Sequence, residues 1–358
     1  MIRGLRSLAG RRLQVILGLV AVATILLWNP FIRPASKAAV ILLDVYATSL
    51  YDVDAAGFVT PPPRVEDTRE TYAGVAMRVT WWRPAWGDRH PAILLVNGAT
   101  PAGNDLKETR LISRALARAG FLVMLPEFPF LMEDRFDPSA VEQIEDAFAA
   151  LRARPEARDR AVGAYGFSVG GGVLLAAAGR GAALQQADYL GVLGAYYDIE
   201  TYVASVVSRT QRRDGELEPW EDVSEDARQR VPPAVAAVAS DRAEGERLAE
   251  DLRAHGGIAT GEPPPGLGGE GRALWRVLAA TDYEEALVRL SELPAPARAR
   301  LLELSPRQVW TTLRPPVFWV HDPKDNYVPL AQAMDAAAAP RASTLKLVIP
   351  ALLAHGEP

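Results

Sequence analysis

Residues 161–172 read Ala161-Val162-Gly163-Ala164-Tyr165-Gly166-Phe167-Ser168-Val169-Gly170-Gly171-Gly172, and small residues continue to Ala178. An apolar run ends in Gly-Phe-Ser-Val-Gly and passes straight into a stretch of helix-compatible small residues. That is the strand, tight turn and helix sequence which can hold a serine hydroxyl in an exposed, strained position. The glycines have a steric purpose, because a chain that folds back so sharply needs neighbours without a Cβ, and Gly171 and Gly172 relax the crowding further. Ser168 is therefore the expected nucleophile and the chain an expected serine hydrolase.

Outward from this turn, strands and helices alternate. Residues 73–82 and the apolar run 92–96 are expected strands, residues 106–119 a helix stopped by Gly120, and residues 121–125 a further strand. Val141, Ile144, Ala147, Phe148 and Leu151 recur at helical intervals within 138–152. Strands are then expected at 161–165, 189–197, 316–320 and 344–349. Strands separated by helices call for a mostly parallel sheet with right-handed crossovers.

A nucleophilic serine needs a base, and the chain has four histidines, His90, His255, His321 and His355. His355 follows the last expected strand and falls at the edge of a parallel sheet where catalytic groups gather. His90 precedes a strand, at the opposite edge, and His255 lies in a polar helical segment. His321 is second choice, because its loop supplies the acid more naturally. That acid, which orients the imidazole and stabilises its charged form, is expected to be Asp325, with Asp322 the nearby alternative. The strand 93–96 runs into Asn97-Gly98-Ala99-Thr100-Pro101-Ala102-Gly103, a loop placed to offer a backbone amide to an oxyanion. Ala99 is preferred over Thr100, and Val169 would be the second donor.

Over residues 72–197 and 313–355 the chain resembles the α/β-hydrolase superfamily, and more loosely its dienelactone-hydrolase-like and acyl-peptidase-like serine esterases. The resemblance implies a mostly parallel sheet flanked by helices. It matches the turn serine to Ser168, the acid after the next-to-last strand to Asp325, and the late histidine to His355. Asn97 stands where the family's oxyanion loop usually has histidine. The sequence ends at Pro358, where the family pattern continues into a final helix, so either it is cut short or its C-terminus is brief.

Residues 201–312 break the alternation with short helical stretches interrupted by Pro232-Pro233 and by the Gly/Pro-rich run 261–269. Residues 201–300 hold 13 arginines, no lysine and 18 carboxylates, and their net of −5 equals that of the whole chain. Placed before the acid-bearing loop, this insertion is expected to form a helical cap, with Trp275, Val277, Leu278, Leu287 and Leu290 on a packed face. At the other end, Arg3, Arg6, Arg11 and Arg12 precede a charge-free run at 13–28. With its continuation to Ile32 it would span about 30 Å, the thickness of a bilayer core. A retained transmembrane anchor with the N-terminus inside and the catalytic domain outside is expected, with a cleaved signal peptide and secretion as the alternative. Residues 38–50, interrupted by Asp44, read as an amphipathic helix on the membrane surface or against the core, and Pro61-Pro62-Pro63 as a stiff linker.

The expected divisions are a membrane segment (1–35), an amphipathic segment and linker (36–65), the core (66–200 and 313–358) and the cap (201–312). No cysteine is present, which excludes disulfides and a thiol nucleophile. No metal-binding motif, phosphate-binding loop or basic nucleic-acid patch occurs, so no cofactor is implied and the expected partners are a small-molecule or lipid-like acyl substrate and the membrane. Acyl transfer on the same triad, cofactor-free peroxidation, or a non-catalytic membrane-tethered binding role are the alternatives.

Overall fold

The computed structural model describes residues 32–350. Its centre is an eight-stranded sheet in the order β1-β2-β4-β3-β5-β6-β9-β10. The strands are β1 (Arg64–Tyr72), β2 (Val75–Arg83), β3 (Ala92–Val96), β4 (Leu122–Pro126), β5 (Val162–Phe167), β6 (Leu190–Leu193), β9 (Val317–Val320) and β10 (Leu345–Val348). Pairing is parallel from β4 to β10 and antiparallel between β1, β2 and β4. All five residues of β3 and of β4 are buried, as expected for strands covered on both faces. Ile93, Leu95, Val123 and Leu125 pack with Ala117 on one face, while Leu94, Val96 and Met124 join Ile144, Phe148 and Leu174 on the other.

The flanking helices include α1 (Ile32–Tyr51), α2 (Lys107–Arg118), the short α3 (Pro129–Met132), α4 (Ser139–Ala153) and α5 (Ser168–Ala178). From β3 the chain crosses to β4 on one side and then returns to β5 on the other. That reversal opens a crevice beyond the carboxyl ends of β3 and β5, where open α/β sheets bind ligands.

Several elements differ from expectation. The sheet begins at Arg64, within the stretch read as linker, and the strand expected at 73–82 is the second arm of a hairpin. Its turn is Ala73-Gly74, both at positive φ (47° and 77°), the geometry of a two-residue hairpin loop. β1 carries charges at five of its nine positions, so it has no apolar period to read. The strand expected at 189–197 pairs only through Leu193, because Gly194 at φ 58° turns the chain and Asp198 caps the next helix.

The insertion contains α6 (Ile199–Ser208), a hairpin of β7 (Thr210–Arg213) and β8 (Glu216–Pro219), and then α7 (Glu225–Ala236), α8 (Arg242–Ala254), α9 (Gly269–Leu278), α10 (Tyr283–Ser291) and α11 (Ala295–Glu303). Trp275, Val277, Leu278 and Leu290 are buried and Leu287 packs against them. Pro232-Pro233 does not break the chain's helix as expected, since α7 runs through both. Neither proline can donate to the carbonyls of Arg228 and Gln229. Gly257 packs against those two oxygens at φ 77°, and a Cβ there would stand 2.5 and 2.7 Å from them.

α1 is one continuous helix laid on α2. Asp44, fully buried, accepts hydrogen bonds from Arg114 at 3.0 and 3.1 Å and from Arg118 at 2.7 Å. Among the described residues no helix is long and apolar enough to cross a membrane. The span expected at 13–28 lies outside the described residues.

Candidate active site

Strand register assembles the candidate site. Val96 of β3 is level with Gly166 of β5, Phe167 with Leu193 of β6, Leu193 with Val320 of β9, and Val320 with Val348 of β10. The loops after all five strands therefore emerge along one edge.

Ser168 opens α5 directly after the last residue of β5, at φ 49°. Left-handed backbone at a residue with a Cβ stores about 1–3 kcal/mol, sustained only where the surroundings fix it. Here the glycines do so. A Cβ on Gly170 would overlap the Asn97 carbonyl oxygen outright, and one on Gly166 would come within 2.6 Å of the Gly171 Cα. The turn is thus clamped between backbone segments at contact distance.

The loop after β3 passes against the nucleophile, since a Cβ on Gly98 would lie 3.4 Å from the Ser168 Cβ. Thr100 donates its amide to the Leu131 carbonyl at 2.9 Å and is thereby occupied. The Ala99 amide has no acceptor among the described residues. Val169 is in the first turn of α5, where amides have no intrahelical partner and the helix dipole favours negative charge. Asn97 points its side-chain amide back to the Gly103 carbonyl at 3.1 Å, so it braces the loop. Asn104, fully buried, ties the same loop to Thr80 and the Leu125 carbonyl. Its role had no signature in sequence, because the partners come from two other strands.

Asp325 is buried in the loop after β9. One carboxylate oxygen accepts the amides of Tyr327 and Val328, both at 2.9 Å, and the other lies 3.6 Å from His321 Nε2. Asp322 accepts the Lys324 amide at 2.6 Å, and its second oxygen is buried with no hydrogen-bond partner among the described residues. The insertion holds this loop: Trp220 donates its indole N–H to the Asp325 carbonyl at 3.2 Å, and the Ser224 amide donates to the Asn326 carbonyl at 2.7 Å.

None of the three described histidines lines the cavity that holds Ser168. His90 sits at the amino end of β3 and bonds the Gly87 carbonyl at 2.9 Å. His255 is exposed at the end of α8 beside Asp251. His321 is fully buried; its Nδ1 accepts the Trp319 indole N–H at 3.3 Å, so its Nε2 carries the proton and donates it to the Val328 carbonyl at 2.9 Å. His355 lies outside the described residues.

Ser168, Val169, Gly98 and Ala99 line a cavity of about 400 Å³. Leu106 and Ile112 form one wall, Leu193 and Tyr202 another, and Ala227, Arg230 and Val231 of α7 the roof. Tyr327, from the turn of Asp325, completes it. Burial lifts the Tyr202 hydroxyl well above its ordinary value, and the Asp325 charge adds to the rise. Arg230 is gripped by Asp134 at 2.6 and 2.9 Å and by Asp226 at 3.2 Å. Burial would weaken its hold on a proton, but these carboxylates outweigh that and raise its pKa.

The strand order and the serine turn define the α/β-hydrolase fold. Among solved structures, an acylaminoacyl peptidase in complex with a chloromethyl ketone aligns with 85% of this chain and 40% of its own length, at 13% identity and a TM-score of 0.50. The chain thus spans less than half of that protein. Dienelactone hydrolase from Anabaena variabilis (82% of this chain, 89% of that one, 14% identity, TM-score 0.44) and a lipase/esterase from Lactobacillus plantarum (81%, 90%, 12%, 0.46) also align with it. At these identities the likeness is one of fold. No protein-family model and no curated protein sequence matches the chain.

Proposed function

We propose that the chain is a serine hydrolase that cleaves a carboxylic ester or related acyl bond through an acyl-enzyme. The observation that carries this reading is Ser168 held at φ 49° against the Gly98 loop, at the floor of a cavity. In the proposed reaction His355 takes the proton from the Ser168 hydroxyl as its oxygen attacks the acyl carbon. Asp325 steadies the imidazolium, and the amides of Ala99 and Val169 stabilise the oxyanion. The leaving alkoxide takes the proton from His355, and water then releases the acid by the reverse sequence.

Two arguments favour His355. His321 has both ring nitrogens engaged, and His90 and His255 lie elsewhere. The chain also leaves β10 at the correct edge. Three strand spacings separate β10 from β5, about 14 Å, whereas the seven residues from Val348 to His355 can reach about 23 Å. In this reading α7 is a cap that limits water at the acyl group, and the aliphatic walls suit an apolar or lipid-like acyl chain. We place the domain on the outer side of a membrane, anchored by residues 13–28.

A fluorophosphonate probe tests the reading, because only an activated serine reacts. Mass spectrometry should locate the adduct on Ser168, and Ser168→Ala should remove both labelling and aryl-ester turnover, the latter by about 10⁶-fold. A folded protein that stays unlabelled, or an adduct at another residue, refutes it.

A further inference from the structure

Seven of the sixteen large apolar side chains exposed among the described residues fall in the eighteen residues from Leu42 to Val59, with Phe58 87% and Leu42 55% exposed. Scattered apolar exposure is ordinary, but such a concentration marks a contact surface.

The helix that carries much of it is amphipathic in the reverse sense. Ala35, Ala38, Ala39, Leu42, Leu43 and Tyr46 are exposed at spacings of three and four residues, which places them on one face. The charge of Asp44 is turned inward onto Arg114 and Arg118, and Thr48 also bonds Arg114. A helix on a water-facing surface orients its polar side outward.

We infer that this face of α1 lies in the headgroup region of a lipid bilayer and rests the domain on the membrane surface. The occupant is argued from the chain just before it. Residues 13–28 are free of charge and follow four arginines, which would bring lipid to the start of α1. A second copy of the chain fits less well: with Tyr51, Val53, Phe58 and Val59 the patch has ten exposed apolar residues, where a stable interface takes about 20–30 a side.

The absence of cysteine makes the test direct. Leu42→Cys, Tyr46→Cys and, on the exposed side of α10, Val288→Cys each give the full chain one site for an environment-sensitive fluorophore. In phosphatidylcholine/phosphatidylglycerol nanodiscs, lipids spin-labelled near the headgroup should quench emission at positions 42 and 46 but not at 288. Quenching should weaken when the spin label is moved to the chain end, matching a depth of about 5–10 Å. Equal emission at all three positions, or self-quenching between two copies in one disc in place of lipid quenching, overturns the inference. Neither result depends on the proposed chemistry.

Discussion

The floor and the roof of the cavity are built on different principles. At the floor, Gly166, Gly170 and Gly98 bring three backbone segments together with no side chain between them, and Ser168 is strained as a result. At the roof, α7 is fastened by Arg230 to Asp134 and by the Trp220 and Ser224 bonds to the acid loop. A steric clamp has no slack, whereas polar ties can be exchanged one at a time. On the proposed reading the floor would fix where the reacting atoms stand, and the roof could vary what is admitted to them.

The strongest way to break this contrast is Gly170→Ala. The added methyl group has no space, so we expect about 3 kcal/mol or more of destabilisation and loss of probe labelling. Wild-type thermal unfolding of that variant would mean the floor is not sterically set. Arg230→Met should cost about 1.5–3 kcal/mol, because it leaves Asp134 without its charged partner. Its signature should be a higher KM for long-chain aryl esters with Ser168 still labelled; a collapse of kcat instead would place Arg230 with the floor. Trp220→Phe removes one hydrogen bond to the acid loop and should cost about 0.5–1.5 kcal/mol by denaturant titration.

The smallest effect is expected far from both, at Glu70 of β1. Burial opposes its charge, but hydrogen bonds from Tyr72, Thr68 and Trp81 and the charge of Arg154 outweigh burial and lower its pKa. A lowered carboxylate pKa stabilises the fold above the unfolded value of about 4.3, and the benefit disappears as pH falls through the folded value. Glu70→Gln should therefore melt lower than wild type at neutral pH and equally in acid. A constant gap across that range would show that the ionised form is not what matters.

The legible parts of the sequence were those with an apolar period or a forced conformation. The buried runs of β3 and β4, the helical spacing of α4 and the glycines around Ser168 all announce themselves. β1 did not, because it is the edge strand and its Glu66 and Glu70 pair with Arg83 and Arg154 instead of packing a core. The β7–β8 hairpin also passed unread, although Asp214-Gly215, at φ 52° and 87°, is the dipeptide that such a turn favours. Pro232-Pro233 misled because the stop it signals is outweighed by burial, since residues 231–236 of α7 are all packed inside the insertion. At the candidate site, the loop after β9 could be placed from sequence, but the bond from Trp220 of the insertion to the Asp325 carbonyl is purely tertiary.

α2 has a property that neither end reveals alone. Arg114 and Arg118 hold Asp44 of α1, while Thr109 and Ile112 form part of the cavity wall. Only nine residues, about 14 Å of helix, separate Thr109 from Arg118, with no glycine or proline to act as a hinge. The helix is one stiff piece, so the seating of α1 and part of the wall beside the serine are set by the same rigid element.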